Sequence, residues 1–571
     1  MGLLRTPFCR PPGGVSIDAN ERSVNGLTSE RAPIIRNGSR ARVGYGTLGT
    51  MRLVIVHHHF RPGGVRRVIE LGTPHLVGYW PELVRGVVLV TGEAPDPVWL
   101  RSFRALLRGT PVKVKVEPAF GYVSESGLDS ETLSRRVARG VLELVLEARR
   151  QECVVWAHNL GLGRNLYLSR EVTSRCPSVG MTVIAHHHDW WFENRWHHFA
   201  AMREPGFCTL DAVANAVLAG SRRVCHAAIN KADAAVLEKH FPGRAGWLPN
   251  PVTPGRKPAI ARVKAASAWL REQLGEQAPV WLLPCRLLRR KNLLEALLLT
   301  RWLRPEAWLV TTGGVSSAEE QPYADALAAA AETHRWPLRL GVLHGDEHEK
   351  PSVPELFAAS EAVILTSLQE GFGLPFLEAA AAGRPLVARR LPGITPDLAR
   401  FGFRFPQRYQ ELRVAPSLFD WEGERVRQLR LFAEWKDLMP RAAARFVGLP
   451  ALLAAGPGPC PVPFSRLTLT AQLEVLARPL GHSWEQCAPL NPFLKRWRDR
   501  AAKRRLETSP WPRSATRWLG GRAYAQRFLD LVPGLGGGAT RAGASQAAQS
   551  EFLRKKLRSE NLYPLLWKSL T

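Results

Sequence analysis

Residues 370–384 read Glu-Gly-Phe-Gly-Leu-Pro-Phe-Leu-Glu-Ala-Ala-Ala-Ala-Gly-Arg, and they follow a short apolar run at 362–365. That run predicts a buried strand because it is short and bounded by polar residues. Gly371 and Gly373 supply flexible backbone, and Pro375 suits the first residue of a helix. The stretch therefore predicts a strand, a glycine turn and a helix N-terminus, where free N–H groups and the helix dipole attract an anion.

Two carboxylates flank this predicted anion site. Glu370 lies just before the glycine turn, and Glu378 lies inside the predicted helix. Carboxylates on both sides of an anion site suit a ligand that carries phosphates together with hydroxyls, as a nucleotide sugar does. The alternative is a strand–loop–helix packing unit whose glutamates are simply solvated.

The motif Glu370-Gly-Phe-Gly-Leu-Pro…Glu378 resembles the two-glutamate motif of retaining family-4 glycosyltransferases. Those enzymes have the GT-B fold, in which two Rossmann-like domains face each other across a cleft. The resemblance implies that Glu378 binds ribose hydroxyls and that Glu370 binds hydroxyls of the transferring sugar. It also implies donor contacts from the backbone of Gly371, Phe372, Gly373 and Leu374.

A basic turn follows the predicted strand at 280–283. It reads Arg286-Leu-Leu-Arg-Arg-Lys291-Asn292, and Arg286 and Lys291 match the arginine and lysine with which the family holds the donor diphosphate. An arginine fork and a lysine point charge can stabilise a leaving nucleoside diphosphate, which supports that role. Asn292 departs from the family, which usually has glycine there. The alternative is a solvated basic turn.

Alternating strand and helix patterns predict doubly wound parallel sheets, which places the chain in the α/β class. Further strands are predicted at 51–56, 87–90, 112–116, 154–157, 182–185, 216–219, 308–312, 338–343 and 385–388. We predict an N-terminal acceptor-side domain at 51–250 and a nucleotide-sugar-binding domain at 251–480. Residues 1–50 read as a disordered leader, with Met51 as a hypothetical native start, and 481–571 as a basic helical extension of unknown role.

The first predicted strand ends in a loop that contains His57-His58-His59, Arg61, Gly63 and Gly64. In the family this loop faces the cleft. We therefore predict donor contacts from Gly63 and Gly64, whose backbone allows close approach, and acceptor contact from Arg61. A metal at the three histidines is disfavoured, because neighbours at a strand end point in alternating directions.

Two further strand ends are rich in polar residues, and ligands of such sheets bind beyond the carboxyl ends of the strands. His158 resembles a cleft histidine that orients the acceptor, and we predict a catalytic positioning role for it. Asn159 beside it, and His186 and Asp189 on the next strand end, are predicted to bind the acceptor. Arg164, set among glycines, is a candidate for an anionic acceptor group such as phosphate or carboxylate. Satisfied loop residues are the alternative.

Composition sets the remaining limits. The net charge is +28, which favours anionic partners or reflects a general arginine bias, and no nucleic-acid-binding signature accompanies it. The eight cysteines are scattered without a Cys-x-x-Cys pair, which fits a reducing cytoplasm and argues against structural zinc. Residues 552–567 combine apolar and basic side chains, so they are predicted either to lie on an anionic membrane or to pack on the protein.

The resemblance implies transfer of a sugar from a nucleoside-diphosphate sugar to a hydroxyl of a carbohydrate, a lipid-linked or a small polar acceptor, with retention at the anomeric carbon. No cofactor and no metal are expected, since the family needs no Asp-x-Asp motif and the chain has none. We expect a cytoplasmic protein or one peripheral at the inner face of the membrane. The alternatives are a phosphorolytic or hydrolytic relative, and a basic membrane- or nucleic-acid-binding protein that has lost transferase activity.

Overall fold

The computed structural model describes residues 51–81, 83–148, 152–203, 206–315, 317–345, 350–456, 458–532 and 541–567. The predicted leader at 1–50 lies outside them. The described chain forms two parallel β-sheets with helices on both faces, one of seven strands and one of six. The predicted α/β class with two Rossmann-like sheets, the GT-B arrangement, is confirmed.

The first sheet has the strand order β3-β2-β1-β4-β5-β6-β7. Its strands are β1 Met51–Val56, β2 Val84–Thr91, β3 Val112–Val116, β4 Glu152–His158, β5 Thr182–His187, β6 Val224–Ala228 and β7 Ala245–Trp247. The helices are α1 Gly64–Tyr79, α2 Pro97–Leu106, α3 Ser130–Ala148, α4 Leu166–Ser178, α5 His197–Arg203, α6 Leu210–Val217 and α7 Lys231–His240. Successive residues of β1 serve opposite faces, since Leu53 and Ile55 enter one core and Val54 and Val56 the other.

The second sheet has the order β10-β9-β8-β11-β12-β13 and its own core. Its strands are β8 Val280–Leu283, β9 Trp308–Thr311, β10 Leu338–Arg339, β11 Ala362–Leu365, β12 Leu386–Arg389 and β13 Gln407–Tyr409. The helices are α8 Ile260–Leu274, α9 Leu293–Leu303, α10 Gln321–Thr333, α11 Val353–Ala359, α12 Leu374–Ala382 and α13 Thr395–Arg400.

The rest of the chain packs on both sheets. Its elements are β14 Arg413–Val414, α14 Trp421–Asp437, α15 Arg441–Ala444, α16 Ala451–Ala454, β15 Val462–Pro463, α17 Leu469–Ala477, α18 Leu480–Cys487, α19 Phe493–Ala502, α20 Ala515–Leu519, α21 Gly521–Leu531 and α22 Ala544–Lys556. Helices α17, α18 and α19 contact α9 of the second sheet, whereas α21 contacts α1, and α22 contacts α6 and α7. The extension of unknown role thus packs on helices at both faces of the first sheet. The boundaries drawn at 250 and 480 stay predictions.

Two predicted strands differ from the structure. The prediction at 216–219 is wrong, because α6 continues to Val217 after Thr209 caps its start. The real strand is β6, in which His226 interrupts the apolar pattern that would have revealed it. The strand predicted at 338–343 is only two residues long, and Gly341, at φ +61°, turns the chain.

The segment at 552–567 packs on the protein. Its helix ends at Lys556, and Phe552, Leu553, Leu557 and Trp567 are all buried in the core of the first domain. This arrangement supports the second of the two predicted alternatives for the segment. Among the described residues, no helix combines the length and the apolar character that crossing a membrane requires.

Candidate active site

The predicted site loops lie where the strand order of each sheet reverses. In the second sheet β8 and β11 are neighbours, although β9 and β10 come between them in sequence. In the first sheet β1 and β4 are neighbours in the same way. Loops that leave two such strands diverge and open a crevice at their carboxyl ends, which is where ligands bind in open parallel sheets.

Hydrogen bonds tie the two donor-side loops together. The backbone N–H of Leu368, after β11, donates to the carbonyl of Arg290, after β8, at 2.8 Å. The hydroxyl of Thr366 donates to the carbonyls of Lys291 and Asn292 at 3.0 Å each. Asn292 has φ +52°, a backbone region in which asparagine and glycine are tolerated best, so it replaces the family's glycine without losing the turn.

Glu370 is the centre of a charged cluster. Its carboxylate forms an ion pair with Lys291, accepts a hydrogen bond from the Ser367 hydroxyl at 2.7 Å, and lies 3.5 Å from the Arg290 guanidinium. Burial alone would raise the pKa of Glu370, but Lys291 and Arg290 outweigh it and hold the pKa below its usual range. A carboxylate has about four lone-pair positions. Hydrogen bonds from Lys291 and Ser367 take two of them, so positions remain for a ligand hydroxyl.

Glu378 lies on α12 without a protein partner. Among the described residues its side chain forms neither a hydrogen bond nor an ion pair, and burial raises its pKa, an effect that Arg67 and Lys291 only partly offset. A fully exposed glutamate would instead form hydrogen bonds with water. A largely buried carboxylate without a partner is suited to accept hydrogen bonds from ligand hydroxyls.

Arg286 is a cation with solvent access, and the described residues supply no counter-charge for it. No described residue forms an ion pair or hydrogen bond with its guanidinium, and burial, with Arg290 nearby, lowers its pKa. A Cβ atom on Gly63 would lie 3.8 Å from this guanidinium, so the first-domain loop reaches the basic turn. Gly64, in contrast, faces open space. A solvent-accessible guanidinium without such a partner is available to bind an anionic ligand.

The helix that the glycine turn predicts begins at Leu374. Gly373 precedes it at φ +83°, a conformation that favours glycine, and Phe372 turns its ring into the core near Phe401, with ring centroids 6.4 Å apart. A Cβ atom on Gly371 would lie 2.8 Å from the carbonyl oxygen of His188 in the first domain. The two domains therefore touch at this turn, which explains why the position requires glycine.

Asp189 reaches the cleft from the first domain. Burial alone would raise its pKa, but Arg195, Arg290 and Lys291 together lower it. Two of these three cations belong to the basic turn after β8. The structure thus brings Asp189, Arg286, Lys291, Glu370 and Gly371 into one region.

His158, His186 and His188 form a buried group at the ends of β4 and β5. Nδ1 of His158 lies 3.0 Å from Nε2 of His188, and the other ring nitrogen of His158 has no partner. Both nitrogens of His186 are engaged, one by the Trp156 indole at 3.3 Å and the other by the carbonyl of Leu248 at 3.3 Å. The three rings are close enough to share a metal ion, but His186 could do so only by losing a hydrogen bond.

Two predicted acceptor residues are already engaged in the protein. The side-chain oxygen of Asn159 accepts from the backbone N–H groups of His188 and Asp189 at 3.3 and 3.0 Å. Arg61 is bound by the carboxylates of Glu93 and Glu125 at 2.6 and 2.9 Å. Asn159 therefore fixes the loop that carries Asp189. The charge of Arg61 is already balanced by its two carboxylate partners. Their contact with an acceptor stays a prediction.

The sequence reasoning missed Tyr122, which stands between the charged groups of the cleft. Its hydroxyl lies 3.1 Å from Nε2 of His59, and the Arg164 guanidinium lies 5.3 Å from its ring centroid. Asn165 holds the Tyr122 loop through hydrogen bonds to the carbonyls of Ala119 and Gly121 at 2.8 Å. No motif marks this tyrosine, because its neighbours come from distant parts of the chain.

The buried histidines predict that stability falls in mild acid. Burial lowers the pKa of His58 and His226 to about 4 and that of His188 to about 3, against 6.5 in the unfolded chain. Below pH 6.5 the unfolded chain therefore binds protons that the folded protein does not, and each histidine costs about 1.4 kcal/mol per pH unit down to about pH 4. Asp397, whose pKa burial raises to about 6, opposes one of them.

Urea unfolding between pH 5.0 and 6.5 tests this prediction. We expect the free energy of unfolding to fall as the pH falls, and His226→Gln to reduce the slope by about 1.4 kcal/mol per pH unit. The amide can still bond the carbonyl of Ala219, which His226 contacts at 3.1 Å. An identical slope in the variant would contradict the assignment.

Comparison with known proteins gives a family match within the second domain. Residues 271–404 match the family model of glycosyl transferases group 1, a range that contains Arg286, Lys291, Glu370 and Glu378. The predicted resemblance to group 1 glycosyltransferases is confirmed over this range, and the family-4 assignment stays a prediction. Mannosylglucosyl-3-phosphoglycerate synthase from Petrotoga mobilis is 23% identical over 348 residues, which are 59% of this chain and 65% of that relative.

Solved structures with a similar course of the chain include the following two. Anabaena HepE in complex with UDP-glucose is 15% identical, with a TM-score of 0.44 over 79% of this chain and 98% of that one. The α,α-trehalose 6-phosphate synthase from Burkholderia multivorans is 13% identical, with a TM-score of 0.44 over 88% and 99% of the two chains. At this distance neither structure bears on ligand or reaction.

Proposed function

We propose that the protein is a retaining glycosyltransferase that moves a sugar from a nucleoside-diphosphate sugar to an acceptor hydroxyl. The observation that carries this proposal is the unbalanced Arg286 beside the Lys291–Glu370 ion pair, with the unpartnered Glu378 on the adjacent helix. Cations for a diphosphate and carboxylates for hydroxyls thus lie in one crevice. The group 1 family match covers all four residues.

In the proposed mechanism, Glu378 accepts hydrogen bonds from the ribose hydroxyls. Glu370 accepts one from the transferring sugar through a free lone pair, while Lys291 stays oriented by the same carboxylate. Arg286 and Lys291 stabilise the negative charge that grows on the diphosphate as its bond to the anomeric carbon breaks. The backbone from Gly371 to Leu374 completes the donor contacts at the start of α12.

The acceptor is proposed to enter from the first domain. Asp189 lies within the electrostatic reach of Arg290 and Lys291. His158 keeps His188 in place and retains one ring nitrogen without a partner among the described residues. His158 is neutral in the folded protein, because burial holds its pKa well below 6.5. A neutral imidazole can accept a hydrogen bond from a hydroxyl, so it can orient an acceptor without a competing charge.

Two further features belong to this proposal. The two cations supply the positive charge that a metal would otherwise provide, so transfer should persist in a chelator. A reducing compartment such as the cytoplasm is supported by the described cysteines, which form no disulfide.

A thermal-shift panel of UDP-, GDP- and ADP-sugars tests the donor site. A ligand that binds the folded state raises its melting temperature, and we expect one nucleotide series to do so. Glu378→Ala should weaken that donor by about tenfold, because a charged hydrogen bond to the ribose is lost. The matched control is Glu332→Ala, which changes an exposed residue of α10 in the same domain. This variant should behave like the wild type.

The outcomes separate the alternatives. A donor shift that Glu378→Ala leaves unchanged would refute the assignment of the ribose site. A shift followed by release of free sugar, or by sugar phosphate when phosphate is added, would identify a hydrolase or a phosphorylase instead. The anomeric configuration of a transfer product, read by NMR, decides whether the reaction retains or inverts. If no donor binds while anionic vesicles or RNA do, the protein is a basic binding protein.

A further inference from the structure

A group of cationic and proton-donating side chains lies beside Tyr122, outside the donor site. The Arg164 guanidinium lies 5.3 Å from the Tyr122 ring centroid, and the rings of His197 and His198 are 4.2 Å apart. Among the described residues, neither Arg164 nor Arg195 forms an ion pair or a side-chain hydrogen bond with any partner. A Cβ atom on Gly163, the residue before Arg164, would clash with the side chain of Met202 on α5, so the Arg164 loop packs against the helix that begins at His197. The electrostatic effects of Arg164 and Arg195 on His198 agree with this placement.

His198 is the least satisfied member of the group. Its side chain is 7% exposed, and no described residue forms a hydrogen bond with either of its ring nitrogens. A buried polar group normally finds a partner in the protein or in a bound molecule. The imidazole therefore indicates a ligand position and not merely a surface patch of positive charge.

The second domain contributes one carboxylate to this group. An oxygen of Glu319 lies 3.6 Å from Nε2 of His197, and ligand atoms of Glu319, His197 and His198 lie within 4.8 Å of one another. His197, together with Arg164, lowers the pKa of Glu319 to about 2. Glu319 acts on Arg164, and Asp189 acts on Arg195 but is shared with Arg290 and Lys291. No described carboxylate forms an ion pair with either guanidinium of the group.

The same three residues could also be read as a metal site of two histidines and a carboxylate. The two arginines argue against that reading, because a divalent cation would have to enter beside two positive charges. An anion gains from both guanidinium groups, which bind phosphate and carboxylate with paired hydrogen bonds. The charges therefore favour an anion.

We propose that Arg164 and Arg195, with His198, bind an anionic group of the acceptor, a phosphate or a carboxylate. The acceptor would then be a small acidic or phosphorylated molecule and not a neutral glycan. This inference rests on the proposed transferase function for its meaning, but the binding site itself can be tested separately. Glu319, which reaches it from the second domain, would be displaced from His197 when the anion binds.

Calorimetric titration with inorganic phosphate, and with acetate as the carboxylate probe, tests the site. Each titration is made in saturating nucleoside diphosphate, so that the cations of the donor site are already occupied. We expect Arg164→Gln and Arg195→Gln each to weaken phosphate binding by about tenfold. Arg101→Gln, which changes an exposed arginine of α2, should leave it unchanged. Melting temperatures confirm that each variant is folded.

A second arm links the site to turnover. With a phosphorylated sugar and its neutral parent as acceptors, transfer should favour the charged member, and Arg195→Gln should raise its KM without changing donor affinity. Phosphate and acetate binding that is absent, or that both arginine variants retain, would overturn the proposal. Zn²⁺ binding that His198→Ala abolishes, without anion binding, would replace it by a metal site. Failure of the nucleoside diphosphate to bind would instead count against the donor site.

Discussion

Arg286→Ala and Lys291→Ala are each expected to reduce sugar transfer by on the order of 100-fold, which corresponds to about 3 kcal/mol of transition-state stabilisation. The charge on a departing diphosphate grows as the glycosidic bond breaks, so a cation that touches it acts mainly on the transition state. Arg286 is held in the crevice without a counter-charge, and Lys291 is oriented by Glu370.

The measurement is kcat/KM at saturating acceptor, with Arg339→Ala as the control because Arg339 is an exposed arginine at the end of β10. Stability provides a second and independent readout. Removal of Arg286 should leave the melting temperature unchanged, because its exposed side chain has no ion pair or hydrogen bond to lose among the described residues. Near-wild-type turnover in either variant would refute the donor site.

The donor side of the cleft could be predicted from the sequence because its rules are local. An apolar strand, the glycines at 371 and 373 and a proline at the helix start all lie between residues 362 and 375. The structure has the strand and the helix where these residues indicate. Arg286 and Lys291 could be placed because β8 is followed directly by their turn. The sequence did not reveal that the charge of Glu370 is offset by Lys291 and Arg290.

The acceptor side could be predicted only in part, because its contacts are long-range. Tyr122 contacts His59 and Arg164, and Glu319 contacts His197. These partners are too far apart in the sequence for any local spacing pattern to predict the contact. Histidine is also ambiguous as a residue type. His186 is fully bonded within the protein, whereas His198 has no partner at either nitrogen.

The C-terminal extension could not be assigned for a related reason. Its apolar side chains are interspersed with arginines, and their partners lie several hundred residues earlier in the chain. Tyr524 and Phe528 of α21 enter the core beside α1, and Phe552 of α22 packs against Trp190, with ring centroids 4.5 Å apart. The pattern predicts an amphipathic helix but does not say which surface it covers.

Glu295→Gln is expected to destabilise the protein by about 3–5 kcal/mol, because it would remove one charge from a buried ion pair. Glu295 is fully buried on α9, where it pairs with Arg389 and accepts a hydrogen bond from the hydroxyl of Tyr409. The same Arg389 contacts Glu411 at 2.8 Å, and Glu411 also holds Arg466 at 2.9 Å. The variant would leave Arg389 buried with one carboxylate in place of two.

The effect should extend to the C-terminal segment, since Arg466 donates to the carbonyls of Glu560 and Leu562 at 2.7 Å. Urea unfolding gives the free energy, and hydrogen exchange at 559–567 reports the loosening. The double variant Glu295→Leu with Arg389→Met should recover most of the loss, because apolar groups of similar volume replace both charges. Arg430→Ala, which breaks an exposed pair with Glu434 at 3.8 Å, should cost at most about 0.5 kcal/mol. An equally small loss for Glu295→Gln would show that the buried pair does not hold these segments together.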